Sequence, residues 1–420
     1  MKSRKKRDQC AESALSHLLR YCQGTKSSVQ YGLSEPALEG GLYMRVYVAA
    51  TRQNDGKTIT ALGLLSALGE YYPSIGYIKP VGQQVKIIEG RTIDKDANLM
   101  NEVFQIGKSL EDMSPVTIPQ GFTEDYILNG DPEELRRKIQ QAYLRASHGK
   151  ELMVIEGTGH AGVGSVIDLS NADVAKLLHS SVVLVTCGGI GRPIDEVMLN
   201  KAVFDARGVD LLGVIVNKVT DDKYEKIDNL VRLGFKKKGI HVLGVIPYVQ
   251  KLSSPTIRQL LEDIKGELLC GEKGLDQTVS KILIGAMSTH SALEYFHGDE
   301  LLITPGDRED LILAAMSGCV IGVSKAYCVK GIILTCGMMP NKTIVKLVKR
   351  TNIPIIFVHM NTYDMAQKLN NLIVKIRPQD TEKIDEATSL IKKYVDCEYI
   401  IDKIRQSTQH PAENIITKST

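Results

Sequence analysis

"AATRQNDGKTITALGLL" (residues 49–65) is the stretch on which the fold turns. It closes an apolar run, "RVYVAA" (45–50), that reads as a strand. It opens "KTITALGLLSALGEYY" (57–72), whose apolar residues recur at helical spacing. "NDGKT" between them is either a phosphate-binding loop or a polar turn before a helix. Gly56 would let the backbone approach a phosphate closely, and the following helix N-terminus would add its dipole. Lys57 would reach the terminal phosphates, and the Thr58 hydroxyl would ligate a metal ion. Thr51 stands where the standard spacing has its first glycine, so the rest of the chain must decide.

The chain has 420 residues, enough for two or three domains, and is 43% hydrophobic and 24% charged, the composition of a globular protein with a substantial core. A net charge of +3, from 52 basic and 49 acidic residues, gives no reason to expect nucleic acid or an anionic membrane as partner. Trp is absent and aromatics make up 5%, which argues against base-stacking platforms. No run approaches the roughly 18 apolar residues that span a bilayer. The eight cysteines form no C-x-x-C pair, so a zinc site or disulfide framework is not expected and free thiols in a cytoplasmic protein are. Cys187 and Cys336 read as small packing residues. Residues 1–43, opening with the basic "KSRKKR" (2–7), read as a disordered extension, a targeting or anion-binding arm, or sequence upstream of a true start at Met44.

From Met44 onward, apolar runs alternate with amphipathic ones. "SIGYIKPVG", "ELMVIEG", "SVVLVTCGG", "LLGVIVNKV" and "HVLGVIPY" read as strands. "DPEELRRKIQQAYLRASHG" reads as a helix capped by Asp131, with Pro132 at its first position. Buried strands alternating with helices imply a doubly wound parallel sheet, in which ligands bind at the carboxyl ends of strands. Gly56-Lys57-Thr58, Lys79, Glu156 and Asn217 all fall at such ends. After a bridge at about 250–275, "ELLITPGD", "GIILTCG" and "PIIFVHM" read as strands of a second α/β domain, and the final residues read as a frayed tail.

Each strand-end residue has a chemical and a bland reading. Glu156 could hold Mg²⁺ or be a solvated strand-end acid. Asn217 could hydrogen-bond a purine edge or be a turn residue. Lys79 could meet a γ-phosphate or an anionic substrate, or lie along the surface beside a turn. Their order along the chain favours a nucleotide site. His290 and His297 lack ligand-spaced neighbours and read as helix-surface residues, and Asp307 reads as a helix cap beside Arg308.

The ordered series "ATRQNDGKT", "YIKPV", "DKDANLM", "VIEGTGHAGVG", "GGIGRPIDEVMLNKAVFDARG", "GVIVNKV" and "GVIPY" resembles the dethiobiotin-synthetase-like P-loop family. The nearest form is the N-terminal part of long bacterial phosphate acetyltransferases. That family's loop is one residue longer, so Ala50 takes the first glycine's place. The second region, with "ITPGDREDLILAA" and "GIILTCGMMP", resembles the DRTGG domain that follows in those enzymes. The resemblance implies an α/β doubly wound parallel-sheet P-loop NTPase domain (44–250), a connector (251–275), a smaller α/β DRTGG-like domain (276–395) and a flexible tail (396–420).

Carried over by position, Gly56, Lys57 and Thr58 would form the phosphate loop and Lys79 the second catalytic lysine. Thr58, Asp96 and Glu156 would bind Mg²⁺, with Asp94 the competitor for Asp96, and Asn217 would read adenine. Asn54, Gln83, His160 and Lys218 depart from the synthetase pattern around the metal and substrate sites, and Cys336 replaces a glycine in the second domain. The residues after 395 are too few for an acetyltransferase domain. The resemblance therefore implies a regulatory or sensor protein that binds ATP and Mg²⁺, without acetyltransferase activity of its own. An ATP-dependent ligase acting on a small carboxylate or carbamate, and a non-catalytic interaction protein, are the alternatives. A homo-oligomer, and an acyltransferase or other metabolic enzyme as partner, are expected.

Overall fold

The computed structural model describes residues 44–321, 328–372 and 374–409. The expectations for 1–43 and for 410–420 lie outside the described residues. Six strands form the first sheet: β1 (Met44–Ala50), β2 (Ile75–Ile78), β3 (Leu152–Glu156), β4 (Ser181–Cys187), β5 (Leu211–Val219) and β6 (Val242–Pro247). Their order is β6-β5-β4-β1-β3-β2, and every pairing is parallel. The apolar runs had to be buried on both faces for that arrangement. Val46 and Val48 face a core with Leu62 and Leu65 of helix α1 (Lys57–Leu68). Tyr47 and Ala49 face the opposite core with Ile139 and Tyr143. The Asp131 cap and Pro132 start of the helix Pro132–Ser147 are as the sequence indicates.

The second sheet comprises β7 (Glu267–Cys270), β8 (Lys281–Ile284), β9 (Glu300–Pro305), β10 (Gly331–Thr335) and β11 (Ile355–Phe357). Its order is β7-β11-β10-β9-β8, parallel except for the antiparallel edge pair β7·β11. Helix α2 (Ile257–Ile264) buries Ile257, Leu260 and Ile264 against Ile333 and Ile356 of this sheet. The stretch expected to be a connector therefore supplies a core helix and an edge strand. Its polar exposed face had masked a strongly amphipathic helix. Cys336 adopts φ +67°, the left-handed backbone that glycine takes without strain.

Past α3 (Thr362–Asn370), the chain returns to the first sheet. Helices α4 (Thr381–Tyr394) and α5 (Cys397–Gln409) place Ala387, Ile391, Ile400 and Ile404 in the core shared with Val46 and Leu62. The expectation of a flexible tail from 396 is thus corrected for 397–409. Apolar residues at helical spacing there, Ile400, Ile401 and Ile404, outweigh the polar residues between them. Gly63 makes the return possible. A Cβ there would lie 2.2 Å from Ile391 Cγ1 and 3.0 Å from the Ala387 carbonyl oxygen. No helix among the described residues is long and apolar enough to cross a membrane. Cys187, Cys270, Cys336 and Cys397 are free thiols, whereas Cys328 is disulfide-bonded, against the expectation of free thiols throughout.

Candidate functional site

The loop after β1 is held from beneath. Asp55, buried, accepts from the Thr51 hydroxyl (2.7 Å), the Arg52 N–H (2.8 Å) and the Cys187 thiol (3.0 Å). Burial first, and then Asp55, push that thiol up to about 12, so Cys187 is a donor and packing group rather than a nucleophile. Arg52 Nε lies 2.9 Å from Glu196. Asn217, at the end of β5, donates its amide to the Asp55 carbonyl (2.9 Å) and accepts from the Lys218 N–H (2.9 Å). Gly56 has φ +107°, and a Cβ there would lie 2.2 Å from the Asn217 amide nitrogen, so only glycine fits. No side chain caps α1. Its first-turn N–H groups form a positive helix end at the cavity.

Lys57 is 9% exposed, and its ammonium makes no hydrogen bond or ion pair among the described residues. Burial is the main cause that lowers it to about 8, with Glu156 opposing. Thr58 donates to Glu156 Oε1 (2.9 Å), and Tyr77 donates to Glu156 Oε2 (2.8 Å). Lys79, at the end of β2, pairs with Asp96 and lies 3.3 Å from Asp94 Oδ1 and 3.5 Å from Glu156 Oε1. Burial would lower Lys79, but the three carboxylates hold it above the ordinary lysine range. Burial would raise Asp96, but Lys79 and Lys375 hold it below the ordinary carboxylate range. Burial and Asp96 raise Glu156, which Lys79 only partly offsets. Asp94 caps the helix that begins at Lys95, accepting from the Asp96 N–H (2.9 Å), and does not line the cavity at this site.

A cavity of about 270 Å³ opens here, and Gly56, Lys57, Thr58, Lys79, Asp96 and Glu156 all line it. Asn217 does not, whereas its neighbour Lys218 does. Leu372, Val374, Lys375 and Ile376 complete the lining from the segment that follows α3. Lys375 Nζ lies 2.8 Å and 3.1 Å from the two Asp96 oxygens. Of the site residues singled out from sequence, all but Asn217 lie at this cavity, and Asp55, Tyr77 and Lys375 were not singled out. An acid inside a phosphate loop is costly unless it folds back into the loop, which was a usable signal for Asp55. Lys375 is 279 positions from Asp96 and had none.

Thr58, Asp96 and Glu156 present only oxygen donors, the set that suits Mg²⁺. Among the described residues no three His, Cys, Asp or Glu side chains form a preassembled metal cluster.

Residues 44–256 match the family described as AAA domain, and residues 259–372 match the DRTGG domain. The chain is 27% identical over 361 residues to the phosphate acetyltransferase of Nitratidesulfovibrio vulgaris, covering 84% of this chain and 50% of that protein. It is 28% identical over 374 residues to the phosphate acetyltransferase of Pseudomonas putida, covering 84% and 51%. The chain thus spans about half the length of the curated relatives it matches. Two solved structures resemble parts of it at low scores. One is the CBS and DRTGG regulatory region of Clostridium perfringens pyrophosphatase, complexed with the activator diadenosine tetraphosphate (TM-score 0.24, 14% identity, 41% of this chain and 85% of that one). The other is the septum site-determining protein MinD with Mg-ADP from Pyrococcus horikoshii (TM-score 0.32, 16% identity, 50% and 83%). Likeness at such scores says nothing of what this chain binds.

Proposed function

This chain belongs to the AAA-domain family, and on that premise we propose that its first domain binds ATP with Mg²⁺ as a regulatory or sensing module. The observation that carries the reading is Lys57. Its ammonium, desolvated but only partly offset by Glu156, lines the cavity of about 270 Å³ without a direct ion-pair partner among the described residues, beside uncapped helix N–H groups. A phosphate group meets both demands at once. Thr58, Asp96 and Glu156 would hold Mg²⁺, which when bound neutralises phosphate charge. Asn217 would read adenine by exchanging its bond to the Asp55 carbonyl for one to the base.

Lys79 supports binding over phosphoryl transfer. A ligase would need that ammonium at the reacting phosphate, yet it is engaged by Asp94, Asp96 and Glu156. The sensing module would act on an acyltransferase or other metabolic enzyme, joined to it or bound to it, and as a homo-oligomer. A thermal-shift series tests the binding. Mg²⁺-ATP at a hundredfold its Kd is expected to stabilise the wild type by about 2.7 kcal/mol, and to leave Lys57→Ala unshifted. Equal shifts in both proteins, or none with ATP or GTP, would refute the reading.

A further inference from the structure

Two lysines hold Asp96, and they differ in how free they are to leave. Lys79 has a side chain 6% exposed and is surrounded by three carboxylates. Lys375 is 28% exposed, and among the described residues its ammonium pairs with Asp96 alone. Asp96 is also one of the three residues that would hold a divalent cation. A cation bound to the carboxylate that Lys375 already occupies would face that ammonium at contact distance. Like charges so placed repel strongly in a low-dielectric site. Lys375 is the one able to move to water.

The Lys375 backbone is tied to the second domain. Gln259 of α2 donates to the Lys375 carbonyl (3.3 Å), and Arg377 pairs with Glu262 of α2 (2.8 Å). Onward along the chain, α4 packs on α1, the helix that starts with Lys57. The Lys375–Asp96 pair also borders two cavities. One is the P-loop cavity, and the other, about 400 Å³, is lined by Gln259, Glu262 and Asp263 of α2.

We infer that Lys375 is an internal cation occupying the metal position at Asp96, and that metal-nucleotide displaces it, passing occupancy of the P-loop domain to α2 of the second domain. The inference rests on the nucleotide-binding reading and assigns that site its route of regulation. Electrostatics sets the order of events. The metal-nucleotide brings its own positive charge to Asp96, the Lys375 ammonium leaves, and the Gln259 bond to its carbonyl and the neighbouring Arg377–Glu262 ion pair are strained or released.

Mn²⁺ binding, followed by its paramagnetic signal with a non-hydrolysable ATP analogue, tests the exchange in the full chain. Lys375→Gln is expected to bind Mn²⁺ about tenfold more tightly than wild type, and Lys375→Arg, which keeps the cation, to bind like wild type. Trypsin reads the wild type without a variant. Cleavage after Lys375 is expected to speed up severalfold with Mn²⁺ and the analogue together, and not with the analogue and a chelator. If wild type binds the analogue but Lys375→Gln binds Mn²⁺ no tighter, or more weakly, Lys375 is no stand-in and the inference falls alone. Unchanged cleavage in the wild type overturns it equally. If wild type binds no nucleotide, both readings fall.

Discussion

At the scale of single residues, Lys57 sets a pH dependence whose sign can be worked out. Its folded value is lowered from 10.5 to about 8 by burial. Between those values the unfolded chain holds the proton that the folded chain has lost, so stability rises with pH across that window. The shift corresponds to about 3 kcal/mol. Below pH 8 the buried charge is a standing cost, and Lys57→Met is expected to raise the melting temperature there. The difference between the two proteins should shrink as pH climbs from 8 to 10.5. Nucleotide binding moves oppositely, because a phosphate favours the charged form. Affinity is expected to be flat below pH 8 and to fall above it, approaching tenfold per pH unit. Melting curves across pH, with and without ligand, check both signs. Glycine, lysine and threonine were legible in sequence because a phosphate loop demands those types in that order. Asp55 left only the indirect signal of an acid inside that loop, and Tyr77 left none, because what defines it is which way the side chain turns.

At the scale of elements, the α1–α4 contact is the most sensitive point. Gly63 is enclosed by Ile391 and the Ala387 carbonyl, so Gly63→Ala overpacks the seam between the P-loop helix and the returning chain. A loss of about 1–3 kcal/mol is expected, measured by urea unfolding. Ile391→Ala in the same chain should be less than additive with it, because it removes the obstructing side chain. An additive pair would show that the two helices do not meet as described. The parallel strands were readable because both faces are buried and their runs are continuously apolar. The edge strand β7 and helix α2 were hidden in a connector because an amphipathic helix beside a short strand has no long apolar run. Helix α5 was hidden by its polar exposed face.

At the scale of the whole molecule, the second sheet is inserted in the chain between two stretches that build the first domain's core. Leu390, Ile391, Ile400, Ile401 and Ile404 come from beyond it and fill the same core as β1 and α1. Their burial is worth roughly 7–15 kcal/mol at 1.5–3 kcal/mol each, comparable to the stability of an entire domain. A chain ending at 372 is therefore expected not to fold, though it keeps every strand of both sheets. A soluble, cooperatively melting product would refute this. The two-domain α/β organisation was legible from the alternation of runs. The chain's return was not, since nothing local in a sequence says which earlier helix a late one covers. The same return brings Lys375 to Asp96, so the part least visible in sequence is the part that links the two sheets.

The most direct measurement is calorimetric titration of the wild-type chain with Mg²⁺-ATP at pH 7.5, beside Lys57→Met. Saturable binding of one nucleotide per chain by the wild type, and none by the folded variant, is expected. No binding by the wild type, or undiminished binding by Lys57→Met, would contradict a nucleotide site built around that buried lysine.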